Sequence, residues 1–165
     1  MPMKLDGSCQ CGNVVFTLQS NTPVPYQLCA CSICRKVGGY IGAVNLGGIA
    51  DSLKIHRGEQ VIKKYNAIKD RGTPNQERCT SERAFCSNCS TMLWVWDPNW
   101  PELIHPFASA IDTELPVPEE MVCIMNTSKP GWAKWPEGKK RVYDVYSQDD
   151  GSLEEWHKKR GYWVE

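Results

Sequence analysis

The chain has 165 residues, 41% hydrophobic and 23% charged, which suits one domain with its own core and is too short for two comfortable ones. Nineteen Lys and Arg balance nineteen Asp and Glu, so no net charge draws it to nucleic acid or to an anionic membrane surface. No run approaches the ~18 apolar residues of a membrane span, and residues 1–7 carry no apolar signal segment, so no membrane association and a cytoplasmic location are expected.

Short runs rich in β-branched and aromatic residues, punctuated by Gly, Pro, Asn and Asp, predict strands over 14–18, 40–44, 53–56, 61–65 and 92–96. Two further candidates cover 104–108 and 121–125. Helix is scarce: a short turn after Cys31, and residues 152–160, where Ser152 and Glu155 have capping-box spacing. Residues 70–78, polar and containing Gly72-Thr73-Pro74-Asn75, predict a surface loop. Residues 129–150, with Pro130-Gly131 and Pro136-Glu137-Gly138, read as an irregular arm wrapped on the domain, whose Trp132, Trp135, Tyr143 and Tyr146 call for burial. The expected fold class is all-β with little helix, in a single domain over 1–165 with a C-terminal arm at 133–165.

Nine cysteines dominate the chemistry. The odd count, in a chain expected to keep its thiols reduced, favours metal binding over a disulfide framework. Cys9-Gln10-Cys11-Gly12 and Cys86-Ser87-Asn88-Cys89 together offer four sulfurs, enough for a closed structural zinc site stapling the N-terminal turn to a later hairpin. Free thiols, or a redox pair at Cys86 and Cys89, are the alternatives. Cys29-Ala30-Cys31-Ser32-Ile33-Cys34 offers three, leaving one zinc position open in the manner of a catalytic site. Zinc held by three thiolates is a modest Lewis acid toward water and better suited to a soft fourth ligand, a substrate thiolate. Arg35 and Lys36 either offset the charge there and steer an anionic thiol, or form a solvated turn. Cys79 either completes this second site with a fourth sulfur or is a free thiol. Cys123, among Val122, Ile124 and Met125, reads as core.

The remaining candidates favour structural roles. His56, His105 and His157 are dispersed and read as surface or satisfied core. Trp94 and Trp96 alternate onto one strand face. Trp100, Trp132, Trp135, Trp156 and Trp163 serve packing or, alternatively, rim a pocket.

The ordered set Gly7-Ser8-Cys9-Gln10-Cys11-Gly12, Cys29-Ala30-Cys31-Ser32-Ile33-Cys34-Arg35-Lys36 and Arg83-Ala84-Phe85-Cys86-Ser87-Asn88-Cys89 resembles the glutathione-dependent formaldehyde-activating enzyme family, which includes the centromere protein V domain. Weaker matches at Arg57-Gly58-Glu59, Tyr65, 108–112 and Ser128-Lys129-Pro130-Gly131-Trp132 extend the resemblance over roughly residues 5–135. It implies an Mss4-like β-tent and two zincs: a structural one at Cys9, Cys11, Cys86 and Cys89, and a catalytic one at Cys29, Cys31 and Cys34. It also implies carbon–sulfur lyase activity on an adduct of glutathione, or a similar thiol, with formaldehyde or another electrophile. Two departures stand out: Ser90 where the family usually has Gly after the second C-x-x-C, and Met121-Val122-Cys123 where it often has a His-Ile-Phe-like strand. The rival function class is a zinc-stabilised binding module without catalysis, which a fourth sulfur from Cys79 at the second site would favour.

Overall fold

The computed structural model describes residues 1–165. In β1 (Met3–Ser8) Leu5 and Gly7 are buried while Lys4 and Asp6 face solvent. Its hairpin partner β2 (Val15–Ser20) buries Phe16, Leu18 and Ser20, and Gly7 lies directly opposite Phe16. A β-carbon at Gly7 would stand 2.4 Å from Phe16 Cζ, so the missing side chain is what lets the ring lie across the hairpin.

The short β3 (Gln27–Cys29) leads into α1 (Ser32–Gly38), which returns through β4 (Ala43–Val44) and β5 (Gly48–Ile49). Next, β6 (Lys54–Arg57) pairs with β2 and completes a three-stranded antiparallel sheet. The long hairpin of β7 (Ile62–Lys69) and β8 (Glu77–Cys86) continues into β9 (Met92–Trp96) and β10 (Leu103–Pro106), giving a five-stranded sheet ordered β5-β10-β9-β8-β7. The main core lies where Leu5, Phe16 and Leu18 meet Leu93, Trp94, Ile104 and Phe107. Phe16 meets Trp94 edge-on at 5.1 Å between centroids, the favoured geometry for two aromatic quadrupoles.

A third sheet, ordered β12-β11-β3-β4, is closed by β11 (Met121–Ile124) and β12 (Lys140–Val142). Here β11 runs parallel to both β3 and β12, and Ile124 is in register with Cys29. A smaller core of Val24, Tyr26, Val122, Ile124 and Trp156 lies between this sheet and α2 (Leu153–Arg160). Trp156 stacks flat on Tyr26 at 3.6 Å. Ser152 caps α2 in a complete capping box with Glu155, as the spacing predicts.

The all-β expectation holds, with only two α-helices. Local boundaries differ in four places. Residues 40–42 form a turn rather than strand, because Gly42 adopts a φ of +145° and only residues 43–44 pair. The expected loop 70–78 ends early, since β8 begins at Glu77; Lys69–Glu77 pairing extends the hairpin despite its polar sequence. The strand expected over 104–108 stops at Pro106 and passes into a 3₁₀ turn at residues 108–110. The arm is less irregular than expected, carrying β12 and α2, and Trp132 (67% exposed) and Tyr146 (66% exposed) remain at the surface. Tyr143, by contrast, packs against the smaller core, and Trp135 against the Leu28–Ala133 cluster. No helix is long and apolar enough to cross a membrane.

One buried carboxylate fastens the arm. Asp150 accepts from Ser147 Oγ at 2.6 Å, Arg141 Nη2 at 2.7 Å and Arg160 Nη2 at 3.2 Å. Burial alone would raise its pKa, but the Ser147 hydroxyl and the Arg141 guanidinium hold it below the ordinary aspartate value of 3.8. A depressed carboxylate contributes stability that is complete above its unfolded pKa and lost as pH falls through the folded one. The arm should therefore loosen only below about pH 4, read as a change in Trp156 fluorescence during acid titration. Asp150→Ala, which leaves two guanidinium groups facing one another, should cost roughly 2 kcal/mol in urea unfolding after allowance for solvent screening.

Candidate metal centres

The β1–β2 turn and the β8–β9 turn bring Cys9, Cys11, Cys86 and Cys89 together, their four sulfurs all within 4.8 Å of one another. Cys9 Sγ lies 3.5 Å from Cys11 Sγ, and Cys11 Sγ lies 4.0 Å from Cys86 Sγ, across 75 residues of chain. The surroundings are built to accept negative sulfur. The Val14 amide donates to Cys9 Sγ at 3.1 Å and Asn88 Nδ2 to Cys11 Sγ at 3.2 Å. Cys89 Sγ meets Thr91 Oγ1 at 3.2 Å, and this hydroxyl leads the interactions that bring the Cys89 thiol down to about 5. Thr91 Oγ1 also accepts from the Gln10 amide at 3.0 Å, tying the two turns together. Buried Cys86 is pushed the other way, to about 11, by desolvation.

Ser90 follows this knuckle with φ at +66°, the left-handed conformation for which a glycine is suited. Its amide closes the turn onto the Cys86 carbonyl at 2.7 Å.

The second group forms where β3 runs into α1. Cys29, Cys31 and Cys34 bring their sulfurs within 4.8 Å of one another, and Cys79 is not among them. Cys31 is the N-cap of α1, and its sulfur accepts from the Cys34 amide at 3.3 Å. Two contacts fix the backbone around them. The Ala30 amide donates to the Ile124 carbonyl at 3.1 Å, and Gly42 packs so close that a β-carbon there would fall 1.9 Å from the Cys29 oxygen. The Cys29 and Cys34 thiols, followed by backbone amides, hold the Cys31 thiol far below its ordinary value. The Cys34 thiol is drawn down by Cys29, but the Cys31 sulfur and burial prevail and set it at about 11, with Arg83 opposing them.

The residues around this cluster divide unevenly. Arg35 turns back onto its own segment, Nε donating to the Ala30 carbonyl at 3.0 Å. Lys36 lines a cleft of about 290 Å³ between α1 and β7, with Ser32, Ile33, Tyr65 and Arg71. The arm supplies Tyr146. The Met125 amide, next to Ile124, bonds the Val145 carbonyl at 3.0 Å, so the parallel ladder beside Cys29 delivers Tyr146 to the neighbourhood of the thiols. Partial burial first, then the charges of Cys29, Cys31, Cys34 and Cys79, raise its pKa, although much of the side chain stays at the surface.

Sequence reasoning identified both sulfur groups but passed over Arg83 and Tyr146. An arginine alternating with Phe85 in a strand was the available signal for the first; nothing local marks the second. Cys123 is core, fully buried. His157 is satisfied core: Nδ1 bonds the Leu153 carbonyl and Nε2 accepts the Val24 amide. His56 pairs with Thr17 Oγ1 and His105 with the Leu46 carbonyl. Trp100 and Trp163 do rim a pocket, of about 300 Å³, which His105 also lines.

Residues 4–126 match the glutathione-dependent formaldehyde-activating enzyme family, and the chain belongs to it. A protein of Halomonas elongata, whose given name assigns it provisionally to glutathione-dependent formaldehyde activation, is 44% identical over 160 residues, covering 96% of this chain and 98% of its own. A crystal structure of a Rhodobacter sphaeroides protein shares the fold with TM-score 0.51 at 24% identity, covering 69% of this chain and 92% of that one.

The left-handed Ser90 generates a prediction. Ser90→Gly removes the steric cost at that position and should stabilise the protein by about 0.5–1 kcal/mol in chemical denaturation, net of the greater freedom glycine gives the unfolded chain.

Proposed function

We propose that the protein is a zinc-dependent carbon–sulfur lyase acting on the adduct of a small thiol, glutathione or a close analogue, with formaldehyde or a similar electrophile. The observation that carries this reading is the cluster of exactly three converging thiols at Cys29, Cys31 and Cys34, with Cys79 outside it. Sulfur separations of 3.5 and 4.0 Å in the first group suit a tetrahedral ion, whose Zn–S bonds of about 2.3 Å span roughly 3.8 Å between ligands. Cys9, Cys11, Cys86 and Cys89 would hold a structural ion, with no position left over. Cys29, Cys31 and Cys34 would hold a second with one position free. Zinc there would supply a soft Lewis-acid position that favours the thiolate form of a substrate thiol.

The chain's own residues provide the rest. Gly42 and the Ala30–Ile124 hydrogen bond hold the cysteine segment in place before substrate arrives, limiting reorganisation during reaction. Lys36 and Arg71, set against Asp70, leave the adjoining cleft with a net positive lining, suited to an anionic thiol. The family membership and the name of the Halomonas relative support glutathione and formaldehyde as the pair. In this reading residues 1–165 form one zinc domain, with 133–165 a subgroup-specific arm.

The test begins with metal analysis of protein purified without chelator. The expected result is two zincs per chain, falling to one in Cys31→Ser with secondary structure retained. Exchange between free thiol and thiol–formaldehyde adduct, followed by NMR at equilibrium, should then be accelerated by the wild type and slowed at least 100-fold by Cys31→Ser. One zinc in the wild type, untouched by the substitution, would leave only a structural zinc domain and point to the binding-module reading. Cys9→Ser should instead destabilise the whole domain, by several kcal/mol in zinc-replete buffer.

A further inference from the structure

Arg83 is a partly buried charged side chain with two shielded donors that the fold leaves without a partner. It lies on β8, in register with Tyr65 on β7 and Val95 on β9, so it shares the sheet face of Tyr65, which lines the cleft against α1. Its Nε and Nη1 are shielded from solvent and make no hydrogen bond. Arg83 takes part in none of the chain's ion pairs. The sheet face it shares with Tyr65 meets α1, the helix that is capped by Cys31 and carries Cys34. Burying guanidinium donors without an acceptor carries a desolvation penalty that folds ordinarily avoid, and the exceptions concentrate where a ligand completes the set.

We propose that Arg83 is a catalytic residue of the thiol–aldehyde reaction, its guanidinium donating to the carbonyl oxygen of the electrophile as that oxygen becomes an alkoxide. This deepens the reading given under the proposed function and rests on it. In the addition direction the thiolate sulfur forms a bond to the carbonyl carbon and the C=O π bond breaks. Its electron pair moves to oxygen, which then takes a proton from solvent to give the hydroxymethyl thioether. Cleavage runs the same steps backwards, and nothing is oxidised or reduced in either direction. A fixed cationic donor at the oxygen that gains charge is worth more in the transition state than in the ground state. Arginine suits the task because its planar donors keep their directions when buried. Its place on the sheet face turned to α1 puts the cation on the side of the cysteine-bearing helix, where the bond is made, rather than out along the thiol's tail.

The experiment compares Arg83→Met and Arg83→Lys with the wild type in zinc content, thermal unfolding with and without zinc, and exchange kinetics. Two thiol–formaldehyde adducts are used: glutathione, and 2-mercaptoethanol, which has no carboxylate. Expected are unchanged zinc content and, because no hydrogen bond is lost, an unfolding temperature for Arg83→Met equal to or above that of the wild type. Expected also are a fall in kcat of about 100-fold for both adducts with KM altered less than threefold, and partial rescue by Arg83→Lys. A loss confined to glutathione and expressed in KM would overturn the proposal, assigning Arg83 to a tail carboxylate. Wild-type rates in Arg83→Met, or a lowered unfolding temperature or lost zinc, would overturn it as well. An inactive wild type retaining two zincs would sink the lyase reading itself; full wild-type activity with an indifferent Arg83→Met would sink only this one.

Discussion

Bringing seven cysteine sulfurs into two small volumes is the constraint around which the fold is organised. The four at Cys9, Cys11, Cys86 and Cys89 come from turns 75 residues apart along the chain. Their convergence fixes how the small antiparallel sheet sits over the larger one, and hence the core between them. Amides and hydroxyls of Val14, Asn88 and Thr91 point at the sulfurs and lower the cost of negative charge there. A tetrahedral ion held by these four sulfurs would have no position left to offer a substrate. The centre at Cys29, Cys31 and Cys34 inherits its rigidity from the same frame, because β4, β11 and α1 bracket it on every side of the chain that carries it.

The sulfur sets were legible in the sequence because thiolate spacing is a local property. Two residues between cysteines let both reach one ion from a tight turn, whatever lies elsewhere. The strands that read clearly were those with apolar alternation against a core, such as β2 and β9, and the capping box announced α2. What escaped was set by tertiary pairing. β8 begins in a polar run at Glu77 because β7 supplies a hydrogen-bonding partner, not because Glu77, Arg78 or Cys79 prefer strand. The arm's β12 has only three residues, Lys140–Val142, two of them basic, and exists because β11 offers an edge. Arg83 and Tyr146 acquire meaning only when residues more than forty positions away are placed beside them.

The arm adds to the fold without supplying any of the clustered cysteines. The family match ends at residue 126, and the chain beyond it contributes Tyr146, the Asp150 ion cluster and the Trp156 stack on Tyr26. Exposure of Trp132 and Tyr40, which lie 5.7 Å apart between centroids, is a consequence of the same route: the arm crosses over the loop after α1 before turning back to β12. Further along the arm Tyr143 and Trp156 pack into the smaller core, while Tyr146 stays at the surface.

The strand order β12-β11-β3-β4 also dictates a sequence of events at the ribosome. Cys29, Cys31 and Cys34 emerge some ninety residues before Ile124, the strand residue that pairs beside Cys29. At typical elongation rates of about 5–20 residues per second, these thiols spend several seconds without the sheet edge that later covers them. During that interval they are unstructured and oxidisable, and a disulfide formed then would block the ladder from closing. Correct closure is thus a race between oxidation and the arrival of β11, decided before the last quarter of the polypeptide has been made.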